Sequence, residues 1–128
     1  MVTFETDRAI YLQIYDRICD EVLAGTLTEE GRIPSVREYS AYLQVNNNTT
    51  VKAFDELSRA GIIQNRRGMG FYVCRGARGI IMEKRREIFI KKTLTSLFKQ
   101  MSQLGITMEE VVEEYKAHAS EQESDTRM

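Results

Sequence analysis

The side chains with the clearest chemical potential form one run of amides and hydroxyls, from Asn46 to Thr50. Asparagine and threonine are poor in the interior of a helix but favourable at its N-terminus, where their side chains cap exposed backbone amides. Asparagine can also pair bidentately with the N6 and N7 atoms of adenine in the major groove. The run therefore indicates the DNA-contacting end of a recognition helix. A purely polar helix cap is the alternative interpretation.

The residues around this run predict the scaffold that holds it. Ser35–Glu38 has the form of a capping box at the start of a short helix. Three residues of that helix are expected to face the core: Val36, Tyr39 and Leu43. Gln44–Val45 then turns the chain, and Asn46 caps the next helix. Its core-facing residues recur at helical spacing: Thr50, Ala53, Phe54 and Leu57. The other residues of the first turns must then face outward: Asn47, Asn48, Val51 and Lys52.

Further elements flank these two helices. Apolar residues at helical steps predict a preceding helix that ends at Gly25: Tyr11, Ile14, Ile18 and Val22. We expect its acidic residues to form a solvated surface: Asp16, Asp20 and Glu21. Arg32–Pro34 can add a brief edge strand. After Gly61, two short strands flank the glycine-containing turn Arg66–Gly70: residues 62–65 and 71–74. This order predicts a winged helix-turn-helix in a mainly α (α+β) fold.

Composition and charge agree with a DNA-binding protein. At 128 residues the chain is long enough for one domain and an appendage, and its 42% hydrophobic and 29% charged residues are typical of soluble globular proteins. Basic charge is concentrated in the middle: residues 32–79 carry eight basic and three acidic side chains, whereas both ends are acidic. We therefore expect the middle of the chain to lie against phosphate.

Several classes of protein are disfavoured. No apolar run is long enough to cross a membrane and the N-terminus does not resemble a signal peptide, so we expect no membrane partner and a cytoplasmic location. Cys19, Cys74 and His118 lie in no metal-ligand spacing, which disfavours a metal site or a disulfide framework. We predict no cofactor and no catalytic residues. Cys74 as a nucleophile is possible, but a small apolar filler at a strand end is the favoured interpretation.

Several motifs resemble the DNA-binding domain of the GntR family, over roughly residues 4–76. They occur in the family's order and spacing: Ile33-Pro34-Ser35-x-Arg37-Glu38, Val45-Asn46-x-Asn48-Thr49, Ala53-Phe54-x-Glu56-Leu57-x-x-x-Gly61-Ile62-Ile63, and Arg67-Gly68-x-Gly70-x-x-Val73. Tyr11-x-Gln13-Ile14 is similar to the family's first helix. Thr50 stands where the family usually has valine, and Asn47 where it usually has a basic residue or proline.

The resemblance implies where the domain would meet DNA. The implied DNA-binding residues are Ser35, Arg37, Asn46, Asn47, Asn48, Thr49, Lys52, Arg66, Arg67, Gly68 and Gly70. Among them, Asn46–Thr49 would contact bases or adjacent phosphates, and Lys52 a phosphate. Arg37 would reach the groove or a phosphate, whereas Arg66 and Arg67 would lie in or over the minor groove. The alternative for Arg37 is a surface charge without a DNA contact, and the alternative for Arg66 and Arg67 is a solvated basic turn.

A helical region follows the predicted linker Gly76–Gly79. A helix expected from about Ile81 to Gly105 carries an apolar seam with coiled-coil spacing, which gives the dimerisation candidates Ile90, Leu94, Leu97, Phe98, Met101 and Leu104. We expect a homodimer, because this face is too wide for a monomer of this size to cover; packing on the chain's own winged domain is the alternative. A capping box at Thr107–Glu110 begins another helix. The basic run Lys84–Arg86 is interpreted as a solvated face, with steering toward DNA as the alternative.

We therefore predict three regions: a winged DNA-binding domain (1–76), a two-helix dimerisation extension (80–119) and a polar tail (120–128) that could fray. The short extension resembles the YtrA-like subfamily, which implies a homodimeric transcriptional repressor acting on double-stranded DNA, with any small-molecule effector unknown. A two-fold dimer would meet a palindromic operator. The alternative is a winged-helix module for protein–protein interaction without DNA binding. An enzyme is the weakest class.

Overall fold

The computed structural model describes residues 9–126, with side chains up to Gln122. Its elements are α1 (Ile10–Ala24), α2 (Val36–Leu43), α3 (Asn47–Arg59), β1 (Ile63–Arg66), β2 (Gly70–Val73), α4 (Ala77–Ile88), a π-helical turn (Phe89–Thr93), α5 (Leu94–Leu104) and α6 (Met108–Thr126). The fold is mostly helical with one small antiparallel sheet, which confirms the predicted class. Residues 1–8 of the predicted winged domain and 127–128 of the predicted tail lie outside the described residues.

The chain divides into two compact units after Arg85, later than the boundary expected between residues 76 and 80. The first unit has a core built where α1, α2 and α3 meet. Phe54 is at its centre, 1% exposed, with its ring edge-to-face to Tyr39 at 6.2 Å and to Phe71 at 5.0 Å between centroids. The core therefore joins the helices to the hairpin and holds them as one scaffold for α3.

The hairpin forms as predicted, with its strands displaced by one residue. β1 and β2 pair antiparallel, with Ile63 opposite Val73 and Arg66 opposite Gly70. The predicted edge strand is reduced to a single bridge between Arg32 and Tyr72. This bridge ties the loop before α2 to β2, on the side of β2 opposite β1, so the hairpin has a fixed position beside the helices.

The prediction of a linker at residues 76–79 is wrong, because α4 begins at Ala77 instead of near Ile81. Ala77 and Ile81 are one helical turn apart and are 0% and 2% exposed, so both pack into the core of the first unit. Arg78 secures the start of the helix, since its Nη1 donates to the carbonyl of Leu23 at 2.6 Å. Burial of these side chains outweighs the local preference of Gly79 for a loop.

The interpretation of the acidic residues of α1 as a solvated surface is also wrong in part. The Arg85 guanidinium lies 2.8 Å from the carboxylate of Asp20, and the Tyr39 hydroxyl donates to Glu21 at 3.0 Å. Burial raises the pKa of the Tyr39 hydroxyl, and the neighbouring carboxylate of Glu21 raises it further. Lys84 donates to the Tyr15 hydroxyl at 3.1 Å. Two members of the basic run 84–86 therefore bind α1 within the first unit.

The second unit contains the π-helical turn, which the sequence analysis did not predict. This turn interrupts the expected α-helix at Phe89–Thr93, so Ile90 is offset from the heptad spacing that Leu94 and later residues keep. Gly105 follows α5 as predicted. The second capping box is confirmed, because Glu110 and Thr107 exchange hydrogen bonds of 3.2 and 3.4 Å. α6 continues to Thr126, past the start of the predicted tail.

Within residues 9–126, no helix is both long enough and apolar enough to cross a bilayer.

Candidate nucleic-acid interface

The start of α3 is fixed by Asn46. Its backbone is extended, with φ −66° and ψ 139°, and its Oδ1 accepts a 2.8 Å hydrogen bond from the backbone amide of Asn48. This confirms the predicted N-cap, which satisfies an amide that a helix start leaves exposed. The side-chain NH2 group of Asn46 remains able to donate to another partner.

α3 presents two opposite faces. The inward residues are at most 1% exposed: Thr50, Ala53, Phe54 and Leu57. The outward residues of the first turns are exposed: Asn47, Asn48, Val51 and Lys52. Thr49 is half-buried at the edge between the two faces. The predicted orientation is confirmed, and the packed inner face holds the outward side chains in a fixed register.

A buried hydrogen bond links α3 to α2. Ser40 and Thr50 are 2% and 0% exposed, and the Ser40 hydroxyl donates to the Thr50 hydroxyl at 2.7 Å. The spacing of the core residues predicts Thr50 on the inner face of α3, but it gives no sign of the partner on α2. The bond satisfies both hydroxyls inside an apolar core, where an unpaired hydroxyl would be costly.

Lys52 has an aromatic partner on α1. Its ammonium lies 4.1 Å from the centre of the Tyr11 ring, in cation–π geometry. Tyr11 is in the first turn of α1, so this contact joins the outer face of α3 to the neighbouring helix. The sequence placed Lys52 on the outer face but gave no sign of this partner. The contact keeps a positive charge beside the exposed amides.

The start of α2 carries the second group of predicted residues. The Ser35 hydroxyl accepts from the Glu38 amide at 3.1 Å, and the Glu38 carboxylate accepts from the Ser35 amide at 3.4 Å. Both bonds of the predicted capping box are therefore present. Arg37 is exposed in the same turn. Arg37 therefore belongs to the turn at the positive end of the helix dipole, a combination of charges that favours an anion.

The hairpin turn carries the third group. The Met69 amide donates to the Arg66 carbonyl at 2.8 Å, and Gly68 and Gly70 have φ of +76° and +99°, which glycine adopts without strain. The Arg66 guanidinium lies 4.1 Å from the centre of the Tyr72 ring. Arg67 is exposed in the turn itself. The two arginines thus differ: Arg66 is stacked along the hairpin and Arg67 is open to solvent.

Arg32 is a basic residue of this region that the sequence analysis missed. A side-chain carbon placed on Gly70 would lie 3.2 Å from the Arg32 Nε atom, so the guanidinium packs closely against the turn. Arg32 is exposed overall, and its backbone forms the bridge to Tyr72. Its position directly before the Ile33-Pro34 motif is the feature of the sequence that could have identified it. Arg32 adds a third guanidinium at the hairpin.

The two cysteines have no reactive character. Cys19 is 2% exposed, and burial raises the pKa of its thiol to about 11. Burial also raises the pKa of the half-buried Cys74 at the end of β2. A protonated thiol is a poor nucleophile, in agreement with the expected structural role. Among the described residues, no group of histidine, cysteine, aspartate and glutamate side chains is arranged to hold a metal ion.

The predicted dimerisation seam lies in the second unit and is largely open to solvent. Ile90, Leu97, Phe98 and Leu104 are between 40% and 72% exposed. Leu94 is half-buried, and Met101 is only 9% exposed, so most of the Met101 side chain is already covered by its own chain. Exposed apolar side chains in such number are unusual for a monomer and typical of an interface.

The predicted DNA-binding residues all lie in the first unit, at the start of α2, the start of α3 and the hairpin turn. Residues 10–73, which span these three elements, match the family model "Bacterial regulatory proteins, gntR family". Over 113 residues the chain is 34% identical to the HTH-type transcriptional regulator YhcF of Bacillus subtilis (strain 168), covering 88% of this chain and 92% of YhcF.

A second relative and a solved structure point to the same family. The HTH-type transcriptional repressor YtrA of Bacillus subtilis (strain 168) is 34% identical over 104 residues, covering 81% of this chain and 79% of YtrA. A solved structure of a GntR-family transcriptional regulator from Bacteroides thetaiotaomicron is 45% identical, with a TM-score of 0.78, and the match covers 89% of this chain and 99% of that one. This chain therefore belongs to the GntR family of bacterial regulatory proteins and is a DNA-binding transcriptional regulator.

Proposed function

We propose that the protein is a homodimeric, cytoplasmic transcriptional repressor without enzymatic activity, which binds a palindromic operator. The observation that carries the proposal is the outward pair Asn47 and Asn48, held on a helix whose inner face is fully packed. Amides at the N-terminus of a rigid helix suit the major groove, since they donate and accept hydrogen bonds at base edges. YtrA is named a repressor, and its match covers 81% of this chain and 79% of YtrA, which supports repression over activation.

Each group of residues has a distinct role in this proposal. The four residues Asn46–Thr49 contact bases or the phosphates next to them. Ser35, Arg37 and Lys52 contact phosphates on either side of the groove, which positions α3 but carries little sequence information. The cation–π contact of Lys52 with Tyr11 keeps its ammonium near the helix rather than free in solvent. Asp55, exposed one turn further along α3, limits the interface to the first two turns because its charge repels phosphate.

The hairpin turn lies against the minor groove or its phosphates. Arg67 is the principal contact because it is exposed, whereas Arg66 is already stacked on Tyr72. Gly68 and Gly70 carry no side chains, so the backbone of the turn can approach the DNA closely. A narrow minor groove has an enhanced negative potential, which favours an inserted guanidinium.

A second copy of the chain covers the exposed seam of the C-terminal unit. The seam is formed by Ile90, Leu94, Leu97, Phe98 and Leu104, with Met101 contributing only its remaining exposed part. In a two-fold dimer the same patch is used by both copies. Two copies of α3 would then meet half-sites about one helical turn apart.

A titration tests the DNA contacts. Duplexes that bind the protein are first selected from a random pool, and affinity is then measured at several salt concentrations. The variant Asn48→Ala/Arg67→Ala should lose about tenfold or more in affinity, and its salt slope should fall by about one unit for the lost phosphate contact. Arg59→Ala removes a charge that pairs with Glu56 at the far end of α3, and it should bind as the wild type. Unchanged affinity and slope in the double variant would contradict the assignment.

Sedimentation tests the dimer. The wild type should sediment as a dimer at tens of micromolar, and Leu97→Lys should raise the dissociation constant at least tenfold, since it buries a charge in the seam. Gln103→Lys puts the same charge on the opposite, exposed side of α5 and should leave the dimer intact. A wild-type monomer at this concentration contradicts the proposal.

A further inference from the structure

Val51 is the apolar member of the outward face of α3. It is 42% exposed, although it lies on a helix whose other outward residues in these turns are polar. At about 100° per residue, Val51 projects between Asn47 and Asn48, one turn further along the helix. Its two methyl groups therefore share the surface that carries the proposed base contacts.

Valine at this position does not stabilise the helix. A β-branched side chain loses rotamer freedom in a helix, and lysine, glutamine or alanine would be more favourable at an exposed site. Val51 does not belong to the buried hydrophobic core either, whose nearest member along the chain is Ala53. Local stability and core packing thus leave the choice of valine unexplained, whereas contact with an external apolar group would explain it.

The length of the side chains narrows the identity of that group. Asparagine and valine are both short, so Asn47, Asn48 and Val51 can act together only if α3 lies close to the base edges. In the major groove, the apolar feature that bases present there is the C5 methyl group of thymine. An aliphatic side chain recognises this methyl group by van der Waals contact and by excluding water.

We infer that Val51 contacts the C5 methyl of a thymine in each operator half-site and so selects thymine at that position. The inference rests on the proposed function, because it requires α3 to lie in the major groove. Asn47 and Asn48 flank Val51 and have amides suited to adenine. The sequence bound under the first two turns of α3 is therefore rich in A·T pairs.

Uracil substitution isolates the methyl group. In a duplex selected by the wild-type protein, each thymine is replaced in turn by deoxyuridine, which keeps every hydrogen-bonding group and lacks only the methyl. At one position per half-site, the substitution should weaken binding about fourfold, and about fifteenfold when both half-sites are substituted. Val51→Ala should bind the thymine and uracil duplexes equally. Val51→Thr retains one methyl group and should keep part of the discrimination.

Controls separate the possible outcomes. Met69 is also exposed and apolar, but lies in the hairpin turn, so Met69→Ala should retain the uracil effect. Circular dichroism melting should show that Val51→Ala is folded, since alanine favours a helix. If no selected duplex binds the wild type, the proposed function fails. If the duplex binds and Val51→Ala remains as sensitive to uracil as the wild type, the inference about Val51 fails and the proposed function stands.

Discussion

The Ser40 hydroxyl donates a 2.7 Å hydrogen bond to the Thr50 hydroxyl, inside the core between α2 and α3. Removing one partner leaves the other buried and unsatisfied, so Ser40→Ala should lower the free energy of unfolding by about 1–3 kcal/mol. Ser40→Ala/Thr50→Val removes both hydroxyls and should recover most of this loss. Urea denaturation of the single and double variants measures the coupling. Additive losses would show that the bond does not couple the helices.

The start of α4 belongs to the first unit, which predicts a sharp difference between two neighbouring isoleucines. Ile81 is 2% exposed and Ile80 is 38% exposed. Ile81→Ala creates a cavity and should cost about 2–4 kcal/mol in the free energy of unfolding, whereas Ile80→Ala should cost clearly less. Urea denaturation of both variants checks the expectation. Equal losses would contradict the burial of α4 in this core.

The two hairpin arginines should have separable effects on DNA binding. Arg67→Ala should reduce the salt slope of binding by about one unit, because its exposed guanidinium is available to phosphate. Arg66→Ala should change the slope less, since its guanidinium is stacked 4.1 Å from the Tyr72 ring. Titrations at several salt concentrations give both slopes. A larger change in the salt slope for Arg66→Ala than for Arg67→Ala would contradict the proposal that Arg67 is the principal contact.

Cys19 should make stability depend on pH in the alkaline range. Burial raises the pKa of its thiol from 9.0 to about 11, so the folded protein keeps a proton that the unfolded chain releases above pH 9. The free energy of unfolding should therefore fall as pH rises from 9 toward 11, by about 1 kcal/mol at pH 10. Cys19→Ala lacks this contribution. The difference in the free energy of unfolding between wild type and Cys19→Ala should therefore shrink by the same amount between pH 7.5 and 10. A constant difference would contradict the raised pKa.

Local patterns in the sequence were sufficient to predict the elements that carry the candidate site. The capping boxes at Ser35 and Thr107 and the N-cap at Asn46 each depend on residues within one helical turn. The two faces of α3 follow from the spacing of Thr50, Ala53, Phe54 and Leu57. These features were predicted because short-range chemistry determines them.

Features that depend on distant residues were not predicted. α4 begins at Ala77 because Ala77 and Ile81 pack into the core of the first unit, which outweighs the loop preference of the neighbouring glycines. The partners of Lys52 and Arg66 are aromatic rings that the fold, and not sequence spacing, places beside them. The π-helical turn inserts an irregularity into a sequence with regular apolar spacing. Tertiary packing decides the start of α4 and the two aromatic contacts, whereas nothing in the structure explains the π-helical turn, none of whose residues is buried.

Selection from a random pool of duplexes, repeated with an Asn47→Ala/Asn48→Ala variant, tests the central claim most directly. The wild type should select an inverted repeat whose half-sites are about one helical turn apart. The variant should lose the base preference at matching positions of both halves, while it keeps weak binding that depends on salt. If the variant selects the same sequence as the wild type, or if the wild type selects none, α3 is not the element that recognises the operator.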